Sequence, residues 1–301
     1  MDLLLVNPLA GGGLARQVLP ALRRFAEQRG WKIDVRVTQS PEDLAAQARA
    51  AARSGTQRVL VLGGDGTFQV LVNALVDFPD TTLGVIPAGG GNDLAASLGL
   101  PQDALAAAAL LLSGETSQID VVRVRTSEGS ERLYLGGGGV GLDAEAAGYA
   151  SGVYRNLRGR LRYLLAAIRA LLGFRSIPIT LTMSGGETRH LEATALLVGI
   201  LNTPSYGAGL HLAPDAQTDD GRLDLVVLDD LRIREVLALL PSLALRGVLK
   251  TRRLRRFRVE GVRIETRKPY SFHGDGEIFG TTPVEVSVVP RAIRVMRSAR
   301  K

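Results

Sequence analysis

The chain contains no cysteine, which excludes disulfides, thiolate metal sites and cysteine nucleophiles. Long hydrophobic runs are also absent, since the longest uncharged apolar stretch, Ala104 to Leu112, is far shorter than the roughly 20 residues of a membrane-spanning helix. The N-terminal sequence MDLLLVNPLAGG has no basic segment before its apolar run, so a signal peptide is not expected. We therefore expect a cytoplasmic globular protein, and 301 residues with 46% hydrophobic content suffice for two domains.

Lysine is scarce, although the net charge is +7: it occurs only at positions 32, 250, 268 and 301. The positive charge is therefore almost entirely arginine, which reflects either a GC-rich genome or an anionic partner such as a nucleotide, a nucleic acid or a membrane surface. No lysine lies near a glycine-rich turn, so the phosphate loop G-x-x-x-x-G-K-S/T is absent, and so is the dinucleotide fingerprint G-x-G-x-x-G. The two most common nucleotide-binding loops are excluded.

The chain changes its pattern near residue 119. Before it, strands alternate with helices, as in a doubly wound parallel sheet; the predicted strands cover 2–6, 31–37, 58–62 and 82–86, and the predicted helices cover 14–28, 41–52, a segment after Thr67 and one beginning near Asn92. After it, short β segments are typical of a β-sandwich; they cover 119–125, 132–135, 177–183, 194–201, 223–228, 259–266 and 284–289, with helical insertions near 154–172 and 233–249. We predict a nucleotide-binding α/β domain over 1–120, onto which the tail 290–301 packs back. A β-sandwich lipid-substrate domain over 121–289 follows, with the active site in the cleft between the domains.

Three glycines surround a carboxylate where the strand VLVL runs into GGDGTF, residues 63–68. Glycines at a helix N-terminus expose backbone N–H groups to an anion and let a phosphate approach without meeting a Cβ atom. The hydroxyl of Thr67 can donate to a phosphate oxygen. Asp65 suits a phosphate only if a divalent cation lies between them, which indicates Mg²⁺. The alternative is an ordinary strand–helix turn.

A second glycine turn follows the next strand in VIPAGGGNDLAASLGL, residues 85–100. Asn92 or Asp93 could cap the following helix, but capping does not require the three preceding glycines. Two such turns at the carboxyl ends of neighbouring parallel strands lie side by side, where open α/β sheets bind ligands. The pair is more specific than either turn alone.

The motif GGDGT followed by P-x-G-x-G-N-D-L-A resembles the diacylglycerol kinase/sphingosine kinase catalytic family in its bacterial soluble lipid-kinase form. The similarity extends over nearly the whole chain, through NPLAGGG, GGGGVGLDAE (Gly136 to Glu145), DDGRLD around Asp220 and the late HGDGE. The resemblance implies an α/β domain related to those of NAD kinases and phosphofructokinases, plus a β-sandwich. It also implies phosphorylation of a lipid hydroxyl that depends on ATP and Mg²⁺.

The resemblance implies a set of nucleotide-binding residues: Asn7, Thr38, Gly63, Gly64, Asp65, Gly66, Thr67, Gly89, Gly90, Gly91, Asn92 and Asp93. Within this set Asp65 has a catalytic role as the organiser of Mg²⁺–ATP. Gly90 departs from the family pattern, which commonly has threonine at this position. A hydroxyl contact to the phosphates is therefore missing, and we expect weakened or rearranged nucleotide contact through the remaining backbone N–H groups.

The late motif FHGDGEIFG, residues 272–280, offers two carboxylates, Asp275 and Glu277. Phosphoryl transfer to an alcohol needs a proton acceptor, and the resemblance places this base in the D-G-E. Strand alternation would put both carboxylates on one face, where they would share a Mg²⁺ or divide the roles of base and metal ligand. The alternative is a polar hairpin turn, in which Asp-Gly is frequent. The sequence leaves open which carboxylate takes the proton.

The acid-rich segment 217–224 suits a cation site with oxygen ligands. The resemblance implies that Asp220 binds a structural Mg²⁺ together with the backbone carbonyls of Gln217 and Arg222; a solvated acidic turn is the alternative. The three histidines are too scattered for a metal triad, and only His273, beside the D-G-E, attracts attention.

Two arginine-rich segments indicate an anionic surface as partner. In VYRNLRGRLRYLLAAIRALLGF, residues 153–174, the apolar positions follow helical spacing and the arginines fall on another face. Between Arg246 and Arg258 seven basic residues occur without an acid. Such segments favour attraction to anionic lipid, hence reversible peripheral membrane association, although a solvated face is the alternative. Nucleic acid is not expected, since no recognised nucleic-acid fold is present and aromatics are only 5%. The family precedent leaves a homodimer open.

The leading hypothesis is therefore a lipid kinase that uses ATP and Mg²⁺. An NAD kinase-like phosphotransferase shares the GGDGT turn but fits the D-G-E and the basic segments less well. A nucleotide- or lipid-sensing regulator with weak catalysis is the third hypothesis, and only Gly90 favours it.

Overall fold

The computed structural model describes residues 1–113, 115–154, 157, 160–173, 175–204, 211–231, 235 and 251–298. The chain divides into two compact units: the N-terminal unit comprises residues 1–119 and 291–301, and the C-terminal unit comprises residues 120–290. Within the described ranges, no helix is long and apolar enough to cross a membrane.

The N-terminal unit alternates strands and helices. Its strands are β1 (Asp2–Val6), β2 (Ile33–Val37), β3 (Arg58–Gly63) and β4 (Thr82–Pro87). Its helices are α1 (Leu14–Gln28), α2 (Pro41–Arg53), α3 (Asp65–Leu75), α4 (Asp93–Ser97) and α5 (Ala104–Ser113). The strands pair in parallel in the order β4–β3–β1–β2. This is the doubly wound α/β architecture that the sequence predicts.

The central strands of this sheet are buried because helices follow each strand and cover the sheet. Every residue of β1 and β4 is buried, as is every residue of β3 after Arg58, which is typical of parallel sheets. Helix α2 begins at Pro41, and the Ser40 hydroxyl oxygen accepts the backbone N–H of Asp43 at 3.2 Å, a regular N-cap. Because the strands run parallel, the loops after β1, β3 and β4 emerge at the same edge of the sheet.

The C-terminal unit is built mainly of antiparallel strands. The elements after α5 are β5 (Glu115–Thr126), β6 (Glu131–Tyr134), β7 (Gly137–Gly141), α6 (Leu142–Ser151), α7 (Arg160–Gly173), β8 (Ile177–Ser184), β9 (Arg189–Leu201), β10 (Leu223–Asp229), β11 (Leu254–Val259), β12 (Gly261–Thr266), β13 (Ser271–Gly274), β14 (Glu277–Thr281) and β15 (Val284–Arg297). The strand order is β14–β13–β7–β9–β8–β12–β15; β10 pairs with β9, and β11 pairs with β10. A large apolar cluster from these strands forms the core. The last part of β15 belongs to the N-terminal unit, where Arg294 and Val295 pair in parallel with β4.

Several elements differ from the prediction. The helix after Asn92 ends within a few residues, because Gly99 adopts a left-handed conformation (φ +71°) and Pro101 follows. The predicted strand 259–266 is β12, which begins only at Gly261, whereas β11 was not predicted apart from its last residue, Val259. The predicted insertion 154–172 contains α7, whereas α6 was not predicted, and the insertion 233–249 lies outside the described residues apart from Glu235.

The glycine-rich segment before α6 forms a strand, β7, although glycine is disfavoured in strands. Its neighbours explain the composition. A Cβ atom on Gly138 would lie 2.4 Å from the His273 carbonyl oxygen, and one on Gly139 would lie 2.3 Å from that of Val198. The strands on both sides approach β7 too closely for a side chain at these positions.

Candidate active site

Three glycine-containing loops meet at the carboxyl edge of the sheet in the N-terminal unit. Asn7, after β1, donates from Nδ2 to the Thr67 hydroxyl oxygen at 3.0 Å, which links the first loop to α3. Gly11 (φ +60°) packs on the loop after β4, since a Cβ atom there would lie 2.2 Å from the Ala88 carbonyl oxygen. The two turns singled out in the sequence are neighbours because β3 and β4 pair directly.

The glycines of these turns serve two different purposes. A Cβ atom on Gly89 would lie 2.6 Å from the Gly64 Cα atom, so these two glycines let the turns touch. At Gly63 a Cβ atom would lie 2.5 Å from the Thr67 side chain. At Gly66, by contrast, no atom lies within 4 Å of an added Cβ atom. Gly66 thus leaves open space at the start of α3, where an anion can approach the backbone.

This difference predicts opposite effects of two alanine substitutions. Gly66→Ala should fold normally, with a stability gain of about 0.5–1 kcal/mol because alanine is the better helix former, but it should bind ATP more weakly. Gly89→Ala should lower stability by about 1–3 kcal/mol because its methyl group overpacks against Gly64. Urea unfolding and titration with a fluorescent ATP analogue measure both effects. Equal loss of stability in the two variants would contradict the assignment.

The carboxylate of Asp65 joins the two turns. Its two oxygens accept the backbone N–H groups of Asp93 at 3.2 Å and Leu94 at 3.0 Å, so it caps the N-terminus of α4 from a different loop. Asn92 stands at the N-cap position of α4, but its side chain makes no capping hydrogen bond. A Cβ atom on Gly91 would lie 3.4 Å from the same carboxylate. Asp65 therefore shapes the loop that contains Gly90 and Gly91.

Asn92 fixes the second turn from inside. It adopts a left-handed conformation (φ +56°), its side-chain oxygen accepts the Gly89 N–H at 2.8 Å, and its side-chain amide donates to the Gln102 side-chain oxygen at 3.0 Å. Gln102 was not anticipated, because no motif includes it.

Thr38 is buried, and its hydroxyl donates to the Val6 carbonyl at 3.0 Å. The hydroxyl proton of Thr38 is therefore already engaged in a hydrogen bond to the neighbouring strand.

The late motif is a hairpin in the C-terminal unit. Strands β13 and β14 are joined by Asp275 and Gly276, with φ +48° and +86°, as a two-residue turn requires. The Asp275 carboxylate accepts three backbone N–H groups, from Leu135 at 2.9 Å, Gly136 at 2.9 Å and Gly137 at 3.1 Å. Burial raises the pKa of Asp275, while the three N–H donors and the nearby His273 act in the opposite direction. Asp275 thus anchors the tip of the hairpin.

Asp275 and Glu277 do not lie on one strand, so the prediction of two carboxylates on the same strand face is wrong. Asp275 is in the turn and Glu277 begins β14. Glu277 is exposed, and its side chain makes no hydrogen bond or ion pair with the residues that the structure describes. The hairpin therefore separates an anchored carboxylate from an accessible one.

A buried acid–base pair lies behind this hairpin. His273 Nε2 is 3.1 Å from Asp143 Oδ2, and the two side chains are only 2% and 7% exposed. Tyr134 is buried nearby, with its hydroxyl donating to the Ile200 carbonyl at 3.0 Å. Burial raises the pKa of Tyr134 well above its ordinary value, and the charges of Asp275 and Asp143 add to this. In the sequence, the pair is indicated only by the position of His273 beside the D-G-E and of Asp143 within GGGGVGLDAE.

The predicted structural metal site contains Asp220, Gln217 and Arg222. One Asp220 oxygen accepts the Arg222 backbone N–H at 2.9 Å, and the other forms an ion pair with Arg258. Over the described ranges no group of three or more acidic, histidine or cysteine residues could hold a metal. An arginine already balances the charge of Asp220, so this arrangement does not fit Asp220 as a metal ligand. The structural Mg²⁺ stays a prediction that the geometry does not favour.

The basic segment 246–258 is described only from residue 251 onward. Three of its arginines make ion pairs: Arg253 with Glu235 at 3.7 Å, Arg255 with Asp229, and Arg258 with Asp220. The segment therefore presents less uncompensated positive charge than the sequence indicates.

Two family models match the chain. The diacylglycerol kinase catalytic domain matches residues 2–124, and the YegS C-terminal NAD kinase beta sandwich-like domain matches residues 138–297. The chain belongs to the diacylglycerol kinase catalytic-domain family, as the resemblance in its motifs predicts.

Individual relatives cover nearly the whole chain. It is 31% identical to a diacylglycerol kinase of Mycobacterium tuberculosis (strain ATCC 25618 / H37Rv), over 97% of this chain and 94% of that protein. It is 27% identical to a diacylglycerol kinase of Bacillus subtilis (strain 168), over 99% and 96% respectively. A crystal structure of a diacylglycerol kinase from Bacillus anthracis str. Sterne superposes with a TM-score of 0.73 at 22% identity, covering 99% of this chain and 96% of that one. At this identity, the similarity to the crystal structure concerns the fold alone.

Proposed function

We propose that this protein transfers the γ-phosphate of ATP, supplied as its Mg²⁺ complex, to the hydroxyl of a lipid such as diacylglycerol. The observation that carries the proposal is the convergence of three glycine-containing loops at the carboxyl edge of a parallel sheet, in a chain of this family. Helix N-termini at such an edge bind phosphates. Diacylglycerol is the substrate that the names of its relatives indicate.

The residues of the N-terminal unit fit a nucleotide. Gly66 leaves room at the start of α3 for a phosphate to reach the backbone N–H groups. The Thr67 oxygen accepts its hydrogen bond from Asn7, so the Thr67 proton can be donated to a phosphate oxygen. Asp65 and Asn92 hold the second turn in shape. Gly90 offers only its backbone, in place of the family's threonine.

Glu277 is the residue that we assign as the proton acceptor. The lipid hydroxyl oxygen forms a bond to the γ-phosphorus as the bond between this phosphorus and the bridging oxygen breaks, so ADP leaves. The hydroxyl proton passes to the Glu277 carboxylate, which is exposed. Asp275 is the poorer base, because its oxygens already accept three backbone N–H groups.

Competing substrates test the proposal. ATP hydrolysis and product formation should be measured with diacylglycerol in mixed micelles, with NAD, and with neither. We expect Mg²⁺-dependent phosphorylation of diacylglycerol and no phosphorylation of NAD. Phosphorylation of NAD alone would favour the NAD kinase-like function, and ATP binding without turnover in any arm would favour a sensor.

We also propose that an anionic membrane surface is the site at which the enzyme meets its substrate. Ile168 and Leu172, one turn apart on α7, are 46% and 78% exposed, and Ile278, next to Glu277, is 40% exposed. Helix α6 packs against both α7 and β14. Arg175, just after α7, is exposed and has no ion pair within the described residues. Exposed apolar side chains beside arginine suit an anionic interface.

The double substitution of Ile168 and Leu172 by serine should therefore weaken binding to anionic vesicles by about tenfold or more, since each buried apolar side chain contributes about 1.5–3 kcal/mol. Vesicle co-sedimentation measures the effect, with Val37→Ser, an exposed apolar residue of β2, as control. Wild-type binding should also weaken as salt rises and be absent on zwitterionic vesicles. Unchanged binding of the double variant would contradict this docking surface.

A further inference from the structure

The Asp143–His273 pair joins the hairpin to α6, the helix that packs against it. Asp143 lies in the first turn of α6, and His273 lies in β13, two residues before the hairpin tip. Helix α6 packs against β13 and β14. A Cβ atom on Gly139 would lie 2.7 Å from Asp143 Oδ2, so the glycine in β7 makes room for this carboxylate. Three separate parts of the sequence, in α6, β13 and β7, thus contribute to the site of this pair.

The side chain of His273 lies in the interior, with 2% of its surface exposed. The register of β13 and β14 shifts between Phe272 and His273, and the residue left without a partner, Phe279, belongs to β14. His273 is paired with Gly139 of β7 on one side and with Ile278 of β14 on the other. Its imidazole meets the Asp143 carboxylate at 3.1 Å. Because a carboxylate only accepts, the Nε2–H of His273 is the donor.

Besides the pairing of β13 with β7, side chains fix the hairpin at two points. Its tip is held by the Asp275 carboxylate on the N–H groups of residues 135–137, and β13 is held two residues before the tip by the bond of His273 to Asp143 of α6. Glu277 lies at the start of the returning strand, between the tip and Ile278, the strand partner of His273. Without the His273 bond, only the tip and the pairing of β13 with β7 would hold the hairpin, and a small shift of β14 would move Glu277. A misplacement of about 1 Å is enough to cost about 100-fold in rate.

We propose that Asp143 and His273 are positioning residues, which hold the hairpin so that the Glu277 carboxylate is placed for proton transfer. This rests on the proposed function, in which Glu277 accepts the proton of the lipid hydroxyl. A bond between two buried polar side chains is also costly to break, because the remaining partner loses its hydrogen bond without regaining water. The pair therefore has one strongly favoured arrangement.

Variants of His273 test the proposal. His273→Leu has a similar size but no donor, whereas His273→Gln retains an N–H near the position of Nε2. We expect kcat to fall by about 10–100-fold in His273→Leu with KM for ATP and lipid within about twofold of wild type, and kcat within about threefold of wild type in His273→Gln. Asp143→Asn provides a second, isosteric probe of the same bond, and His190→Gln, on β9, is the matched control.

Amide hydrogen exchange separates this inference from the proposed function. Exchange of the hairpin amides, residues 271–281, should accelerate in His273→Leu and return toward wild type in His273→Gln, whether or not the enzyme phosphorylates the lipid tested. A wild-type protein that phosphorylates no lipid would overturn the proposed function, whereas unchanged hairpin exchange in folded His273→Leu and Asp143→Asn would overturn the positioning role. Wild-type kcat in both variants would overturn it as well.

Discussion

Replacing Glu277 with glutamine should lower kcat for lipid phosphorylation by about 100-fold or more without unfolding the protein. Glutamine keeps the size of the side chain but cannot take the proton, and removal of a general base typically costs about 10²–10⁴-fold. Because the Glu277 side chain is exposed and has no hydrogen-bond or ion-pair partner in the described parts of the chain, thermal stability should not change. Initial rates at saturating ATP and diacylglycerol in mixed micelles measure the effect.

The control for this experiment is Glu128→Gln. Glu128 is also an exposed glutamate of the C-terminal unit, in the turn between β5 and β6, and it lies on no element of the hairpin. We expect wild-type kcat for it. If Glu277→Gln kept wild-type kcat, the assignment of Glu277 as the base would be wrong, whatever the stability of the variant.

Replacing Asp275 with alanine should destabilise the C-terminal unit by about 3 kcal/mol or more. The substitution leaves three backbone N–H groups without their acceptor, each at a cost of about 1–3 kcal/mol if buried. It also places alanine at φ +48°, a conformation that aspartate tolerates better. Urea unfolding at equilibrium measures the loss, and kcat should fall with it because Glu277 follows in the same hairpin.

Two further variants separate the carboxylate from the backbone conformation. Asp275→Gly relieves the conformational strain but still lacks the acceptor, whereas Asp275→Asn keeps one oxygen and tolerates the left-handed region. We expect Asp275→Asn to be the most stable of the three variants. If it were as stable as wild type but about 100-fold slower, Asp275 and not Glu277 would be the base.

Local sequence rules predict much of the N-terminal unit. The predicted helix 14–28 is α1 with the same bounds, and the turns after β3 and β4 adjoin because parallel strands place their carboxyl ends together. The hydrogen bonds that stabilise these turns were not predictable from the sequence. The cap of α4 comes from Asp65, 28 and 29 positions before its partners, and a local pattern cannot show such a bond.

The hairpin shows the same limit more clearly. The letters H-G-D-G-E fit a strand end and a turn equally well. The turn is stabilised by N–H groups up to 140 positions away, and His273 finds its partner 130 positions away. The charge balance of the segment 246–258 could not be predicted from its own sequence either. The segment contains no acid, yet Asp229 in the neighbouring strand β10 forms an ion pair with Arg255. Tertiary contacts decide these features.

The central claim, ATP-dependent phosphorylation of a lipid hydroxyl, is tested most directly by following the terminal phosphate itself. Wild-type protein is incubated with Mg²⁺ and γ-labelled ATP in mixed micelles that contain diacylglycerol, and the lipid fraction is extracted and identified by mass spectrometry. The account predicts labelled phosphatidic acid from wild type, and about 1% or less of that rate from Glu277→Gln, as expected for loss of a general base. No label in the lipid fraction, with ATP bound and the protein folded, would contradict it.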